Sequence, residues 1–109
     1  MRFQSIIIGG GLAGLSAGIK LAEAGRKVAI VSSGQSTLHF FSGSLELLGS
    51  DGESDIIHPF DAIDSLNPSH PYSRIGAGKM RTLADEAILF FRKCGLRFVG
   101  GGNTNCYHI

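Results

Sequence analysis

An α/β fold that opens a doubly wound parallel sheet with a strand, a helix and a second strand is predicted by three features of the first 31 residues. The run "RFQSIII" at 2–8 ends in three isoleucines, and continuous β-branched sequence suits a parallel strand covered on both faces. A glycine-rich turn, "GGGLAG", follows at once. The apolar run "KVAIV" at 27–31 then supplies a second short strand, close enough in sequence for a right-handed βαβ unit.

Between the strands, "LAGLSAGIKLAEAG" has helical spacing. Leu12, Leu15, Ile19 and Ala22 fall on one face, which is expected to be the core face, and Gly25 stands at the C-cap. From Ser32 to Gly78 the pattern loosens. "SLELL" at 44–48 reads as a short helical turn, "PFDAIDSL" at 59–66 as another, and the two prolines of "NPSHPYS" forbid regular structure there. The clearest helix is 79–94. Met80, Leu83, Ala84, Ala87, Ile88, Phe91 and Cys94 form its core stripe, Arg92 and Lys93 suit its C-terminal dipole, and Gly95 ends it. "LRFV", "GGGN" and "TNCYHI" read as two strands around a glycine turn.

Composition sets outer limits. A chain of 109 residues and 11.5 kDa holds one small domain, and 43% hydrophobic against 17% charged residues describes a globular chain. A formal charge of +1 with no Lys/Arg run gives no footprint for nucleic acid. Cys94 and Cys106, twelve positions apart with no His at ligand spacing, are expected to be unpaired, buried or half-buried thiols in a reducing cytosol. His58, His70 and His108 are scattered, so no metal site is expected. The start imitates a secretory signal, but 9–11 and Lys20 interrupt its apolar stretch. No run reaches the roughly 18 apolar residues of a membrane span, so any membrane contact is expected through a partner. The chain stops at Ile109 on an apolar stretch, which reads as a truncation.

The chemistry lies in "IIIGGGLAGLSAG". Gly9, Gly11 and Gly14 make G-x-G-x-x-G directly after a strand and at the start of a helix, the context in which this pattern becomes specific. Gly9 permits the tight turn, Gly11 lets a pyrophosphate approach the backbone, and Gly14, helped by Gly18, permits close helix–strand packing. The free amides at the helix start then face phosphates. This is the Rossmann-like, FAD/NAD(P)-binding type of unit. The carboxylate that usually ends the second strand and holds a ribose hydroxyl is missing; Ser32 and Ser33 stand there, and a hydroxyl makes the weaker bond. FAD and a mononucleotide flavin therefore both stay open, and neither Ser32 nor Ser33 supplies the Arg that the 2'-phosphate of NADP wants.

With these stretches in view, the sequence resembles the B subunit of the anaerobic glycerol-3-phosphate dehydrogenase family, a flavoprotein. The resemblance rests on "MRFQSIIIGGGLAGLSAG", on "GQSTLHFFSGSLELL" at 34–48 and on "HPYS" at 70–73, and it runs over all 109 residues. Family members are roughly four times as long. The resemblance implies oxidation of sn-glycerol 3-phosphate to dihydroxyacetone phosphate, in a complex with a larger catalytic subunit and an iron-sulfur subunit. The latter docks the pair on the cytoplasmic face of the inner membrane and passes electrons to quinone, and on to fumarate or nitrate. It also implies FMN, whereas the glycine motif is of the dinucleotide type that takes FAD.

Carried onto this chain, the phosphate positions are Gly9, Gly11 and Gly14, while Ser36, Ser42 and Gly43 belong to a loop expected to run under the flavin. On this reading the chain divides into a βαβ unit (1–31), a flavin-loop region (32–78) and a helix with hairpin (79–109). The related succinate dehydrogenase family bonds its flavin covalently to a His seven positions before a Gly-Gly pair. Counting seven back from Gly43 reaches Ser36, so His39, four before, is out of step. His39 is left as either a hydrogen-bond donor to the flavin edge or an ordinary His half-buried between Leu38 and Phe40. Arg74, Lys79 and Arg81 near "HPYS" are candidate partners for a substrate phosphate, though solvated surface charge is the commoner role. No catalytic residue is assigned. Two other readings remain: another FAD-dependent oxidoreductase sharing the βαβ start, and a non-catalytic remnant that only associates with a partner subunit.

Overall fold

A computed structural model describes residues 2–105. They form two compact units, the first running to Ser44 and the second beginning at Leu45.

In the first unit, strand β1 (Ser5–Ile8), helix α1 (Leu12–Glu23) and strand β2 (Val28–Val31) follow in order. The strands pair in parallel, Ser5 opposite Val28 and Ile8 opposite Val31, as the βαβ reading requires. Gln4 closes the near end: its Oε1 accepts from the Lys27 amide at 2.9 Å, and its own amide donates to the Lys27 carbonyl at 2.8 Å. At the far end the Gly9 amide donates to the Val31 carbonyl at 2.8 Å, so the glycine turn is tied to β2 as it leaves β1. Gly25, at φ 75°, follows the C-cap Ala24 and ends α1 at the expected stop.

Two expectations about burial change. The stripe Leu12, Leu15, Ile19 and Ala22 is exposed; the face of α1 that packs on the sheet carries Gly14 and the buried Gly18, which lie against Ile7, with Gly18 also against Ile30. A hydropathy count ranks glycine low, yet only a residue without Cβ lets helix and strand backbones come this close. Nor is the sheet covered on both faces. Ile7 lies on the α1 side, while Ile6 (66% exposed), Ile8 (90%) and Val31 (55%) show on the other face. Period-2 geometry forces the split, because one helix covers one face.

The second unit is helical. Its core is Phe60, Ile63 and Met80, with Leu47, Leu48, Leu66, Tyr72, Ala77 and Ala84 packed around it. Helix α2 (Pro59–Ala62) runs into a 3-10 turn (Ile63–Ser65), and α3 (Pro71–Ile75) leads through Gly76, at φ 84°, into α4 (Ala77–Lys93). The prolines of "NPSHPYS" do not exclude regular structure. Pro71 occupies the first turn of α3, where its missing N–H is no loss and its fixed φ suits the helix. Helix α4 starts two residues earlier than expected. Met80 is buried and Ala84, Ala87, Ile88 and Phe91 are half-buried, but Leu83 and Cys94 at the edge of the stripe are exposed.

Two predicted elements fail. "SLELL" forms no helical turn; Leu47 and Leu48 instead pack in succession on the core. Of the hairpin at the end, the described residues show one antiparallel bridge, Gly101 to Thr104, and Leu96 to Val99 form no strand. That segment lies between Gly95 and Gly100, both at positive φ, and Phe98 is engaged with Phe91 of α4 at 5.1 Å between ring centroids. Phe98 thus packs on the helix. Cys106 and the last residues of the proposed second strand lie outside the described residues.

Side chains close this unit. The Arg81 guanidinium stands 4.6 Å from the Phe60 ring centroid, faces Asp61 at 3.9 Å and donates to Asn103 Oδ1. The Asn105 side-chain amide donates to the Leu48 carbonyl at 2.8 Å and to the Ile56 carbonyl, while its backbone amide donates to the Ile57 carbonyl at 2.8 Å. One residue thereby joins three points of the loop before α2. Asn105→Ala strands two carbonyls, and a destabilisation of about 1–3 kcal/mol is expected. Urea unfolding followed by circular dichroism would show it as a lower midpoint at unchanged slope.

Candidate functional site

The glycine turn carries the site. Gly9 sits at φ 112°, a conformation open to glycine and strained for any other residue. Gly11 is the N-cap of α1 in extended conformation (φ −79°, ψ −178°), and its carbonyl accepts from Leu15 at 2.9 Å to start the helix. No side chain caps this end and no acidic residue lies in the first turn. The amides of the first turn, which have no carbonyl four residues back within the helix, are left at the positive end of the dipole with no negative charge beside them.

The glycines divide by the space around them. A Cβ on Gly14 would fall 2.0 Å from the Gly9 carbonyl oxygen, so this position is closed by the protein's own backbone. A Cβ on Gly11 would meet nothing nearer than Ser36 Cβ at 4.0 Å. Gly14 is thus glycine for packing, and Gly11 leaves open room at the helix start. A phosphate group fits that arrangement: open volume, uncapped amides and a favourable dipole.

Ser32 and Ser36 border the turn. Ser32 follows directly on β2, and its Oγ donates to the Gly34 carbonyl at 3.1 Å. It also stands against Gly10, where a Cβ would approach Ser32 Oγ to 3.0 Å. Gly10, an x position of the motif, is thus a further residue of the turn that spacing alone does not pick out; the signal for it is that this x is itself glycine. Ser36 Oγ accepts from the Leu38 amide at 3.3 Å and caps a 3-10 turn (Thr37–Phe40). Ser42 and Gly43 follow that turn. Ser42 Oγ pairs with Ser44 Oγ at 2.8 Å and Gly43 lies at φ 88°, so their interactions are local and do not join the glycine turn. The structure brings together Gly9, Gly11, Gly14, Ser32 and Ser36, and leaves Ser42 and Gly43 on the adjoining segment.

His39 is exposed, edge-on to Phe40 at 5.0 Å, and Phe40 is itself 85% exposed; the half-buried reading of this His does not hold. Of the cations weighed for a substrate phosphate, Arg81 is engaged with Phe60, Asp61 and Asn103, and Arg74 and Lys79 are exposed. Among the described residues no group of three or more His, Cys, Asp or Glu side chains could hold a metal ion. Among them, too, no helix is long and apolar enough to cross a membrane. The amides of Ser54 and Glu53 hold the Asp51 carboxyl below the usual carboxylate value, and this carboxyl braces an exposed turn.

A parallel strand–helix–strand unit with an uncapped glycine turn at the helix start defines the opening of a dinucleotide-binding domain. The chain belongs to the FAD binding domain family, whose model matches residues 4–109. It is 49% identical over 110 residues to the B subunit of anaerobic glycerol-3-phosphate dehydrogenase from Yersinia pestis bv. Antiqua, covering 96% of this chain and 26% of that protein. Proteins of the same name from Pectobacterium atrosepticum (44% identical; 100% of this chain, 27% of the relative) and Vibrio cholerae (38%; 85% and 21%) are similar as well. The resemblance drawn from the residues therefore holds, and the chain spans about a quarter of the length of these relatives. No solved structure matches.

Proposed function

We propose that this chain provides the dinucleotide-binding opening of the flavin subunit of an anaerobic glycerol-3-phosphate dehydrogenase, acting in the oxidation of sn-glycerol 3-phosphate to dihydroxyacetone phosphate. The observation that carries the reading is the uncapped start of α1 behind an open Gly11, in a chain of the FAD binding domain family. FAD is the preferred flavin. A dinucleotide brings the pyrophosphate for which the turn has room, and FMN, implied by resemblance alone, gains no support from the family match. Gly9, Gly11 and Gly14 form the phosphate cradle, Ser32 accepts from an adenosine ribose hydroxyl, and Ser36 lines the turn. Ser42 and Gly43 extend this wall toward the flavin.

Bound FAD supplies a two-electron acceptor; these residues hold and orient it. The relatives' shared name, which makes each of them one lettered subunit among several, supports partner subunits. In this reading they are a larger catalytic subunit and an iron-sulfur subunit that passes electrons to quinone, and on to fumarate or nitrate, at the cytoplasmic face of the inner membrane. Among the described residues, the side chains set against the glycine turn are hydroxyls and aliphatics. The 109-residue chain alone is therefore expected to retain FAD without oxidising glycerol 3-phosphate. Chromatography of flavin released by denaturation, with dye reduction as the activity assay, tests both statements. FMN as the only flavin released overturns the cofactor assignment, no bound flavin sinks the cradle, and turnover by the isolated chain refutes the inactivity.

A further inference from the structure

Helix α3 is five residues long, too short to hold itself by its own hydrogen bonds, and it begins with a proline that has no amide to offer. Its next amide, on Tyr72, donates to His70 Nδ1 at 3.1 Å. Ser, Thr, Asp and Asn are the usual N-caps, and their oxygens remain acceptors throughout the neutral range; an imidazole nitrogen accepts only while it is unprotonated. We propose that His70 is a proton-sensitive clamp on α3: neutral, it holds the helix start and seats Tyr72 on the core; protonated, it releases both. This is independent of the flavin reading.

The surroundings fit a clamp. The His70 amide donates to the Asn67 carbonyl at 2.8 Å and its carbonyl accepts from the Arg74 amide at 3.2 Å, so the backbone at the cap is fixed. The imidazole stands edge-on to the Tyr72 ring, 5.1 Å between centroids, and Tyr72 packs against the cluster of Phe60, Ile63 and Met80. Protonation acts twice in one direction. Nδ1 becomes a donor facing a donor, and the imidazolium sits at the positive end of the helix. Gly76, at φ 84° between α3 and α4, is the joint about which the freed segment moves.

The elements packed against α3 are α4, the 3-10 turn Ile63–Ser65 and, through Phe60, α2. Their charged groups are Asp61 on α2, Asp64 on the turn and Lys79, Arg81, Asp85, Glu86, Arg92 and Lys93 on α4, all exposed, with Arg74 on α3 itself. Arg81 is held by Asp61 and Asn103, and Asp64, Lys79 and Arg74 are exposed and screened by water. The proton on the ring is left to decide the cap. The clamp is closed while the ring is neutral and opens as falling pH protonates it.

Amide hydrogen exchange of the full chain, corrected for the intrinsic rate and read by NMR, tests this. Between about pH 8 and pH 5, Tyr72 protection is expected to fall about fivefold, the value of one N-cap, while Ala84 in α4 is unchanged. His70→Asn, whose side-chain oxygen accepts at both pH values, should keep α3 and abolish the pH response; His70→Ser is a second capping variant should Asn distort the turn. An equal response in wild type and capping variants overturns the proposal. So does Tyr72 protection that stays constant while the His70 ring resonances titrate.

Discussion

Gly14→Ala is expected to destabilise the first unit by about 3 kcal/mol or more, enough to unfold it in a chain of this size. The added Cβ would lie 2.0 Å from the Gly9 carbonyl oxygen and 3.3 Å from Ile7 Cγ2. The first contact is with backbone, so no rotamer change relieves it. Either α1 lifts from β1 or Gly9 moves, and Gly9 is tied to Val31 by its amide. Dinucleotide-binding turns in general accept Ala at the third glycine; this turn is closed too tightly to do so. Gly18→Ala is the control. Its Cβ would meet Ile30 Cδ1 at 2.7 Å, the far end of a flexible side chain, and Ala gains about 1 kcal/mol of helix propensity over Gly. A net change within about 1 kcal/mol is expected there. Urea unfolding by circular dichroism, with amide protection of β1 and β2, measures both. A Gly14→Ala midpoint equal to wild type would show that the helix does not pack as described.

What was legible in the sequence was what is local. The strand–turn–helix–strand order follows from two apolar runs and the glycine spacing, and the turn's conformation follows from positions where Cβ cannot be placed. Burial was less legible. The isoleucines of β1 announce a strand, but whether Ile6 and Ile8 are covered depends on what lies over that face, and α1 lies over the other. Hydropathy picks the Leu12, Leu15 and Ile19 stripe as the packing face of α1, although contact distance is set by glycines that carry no hydropathy signal. Helix α3 was hidden behind Pro71, which breaks a helix interior but starts a helix well. Leu96 to Val99 read as a strand because the residues are apolar; they form none, and Phe98 packs against Phe91 of α4. Within the site, Gly9, Gly11 and Gly14 were readable from spacing, whereas the contact of Ser32 with Gly10 arises only when the chain folds the end of β2 against the turn.

Gly11→Ala should do the opposite of Gly14→Ala, leaving the fold and removing the ligand. Gly11 has φ −79°, which any residue adopts, and an added Cβ would point into open space. As an N-cap, Ala is poorer than Gly, and a loss within about 1 kcal/mol is expected in the apoprotein. On the proposed reading, the same Cβ would occupy the volume through which a pyrophosphate reaches the α1 amides. Pushing the phosphates outward lengthens every hydrogen bond to that helix start, and a Kd for FAD roughly 100-fold weaker is expected, equivalent to about 2.7 kcal/mol. Fluorescence titration of FAD into apoprotein, beside a urea melt without flavin, separates the two effects. A lowered midpoint together with lost binding would make Gly11 a folding residue like Gly14. An unchanged Kd would place the phosphates elsewhere. Only lost affinity at retained stability identifies the open space at Gly11 as space kept for a ligand.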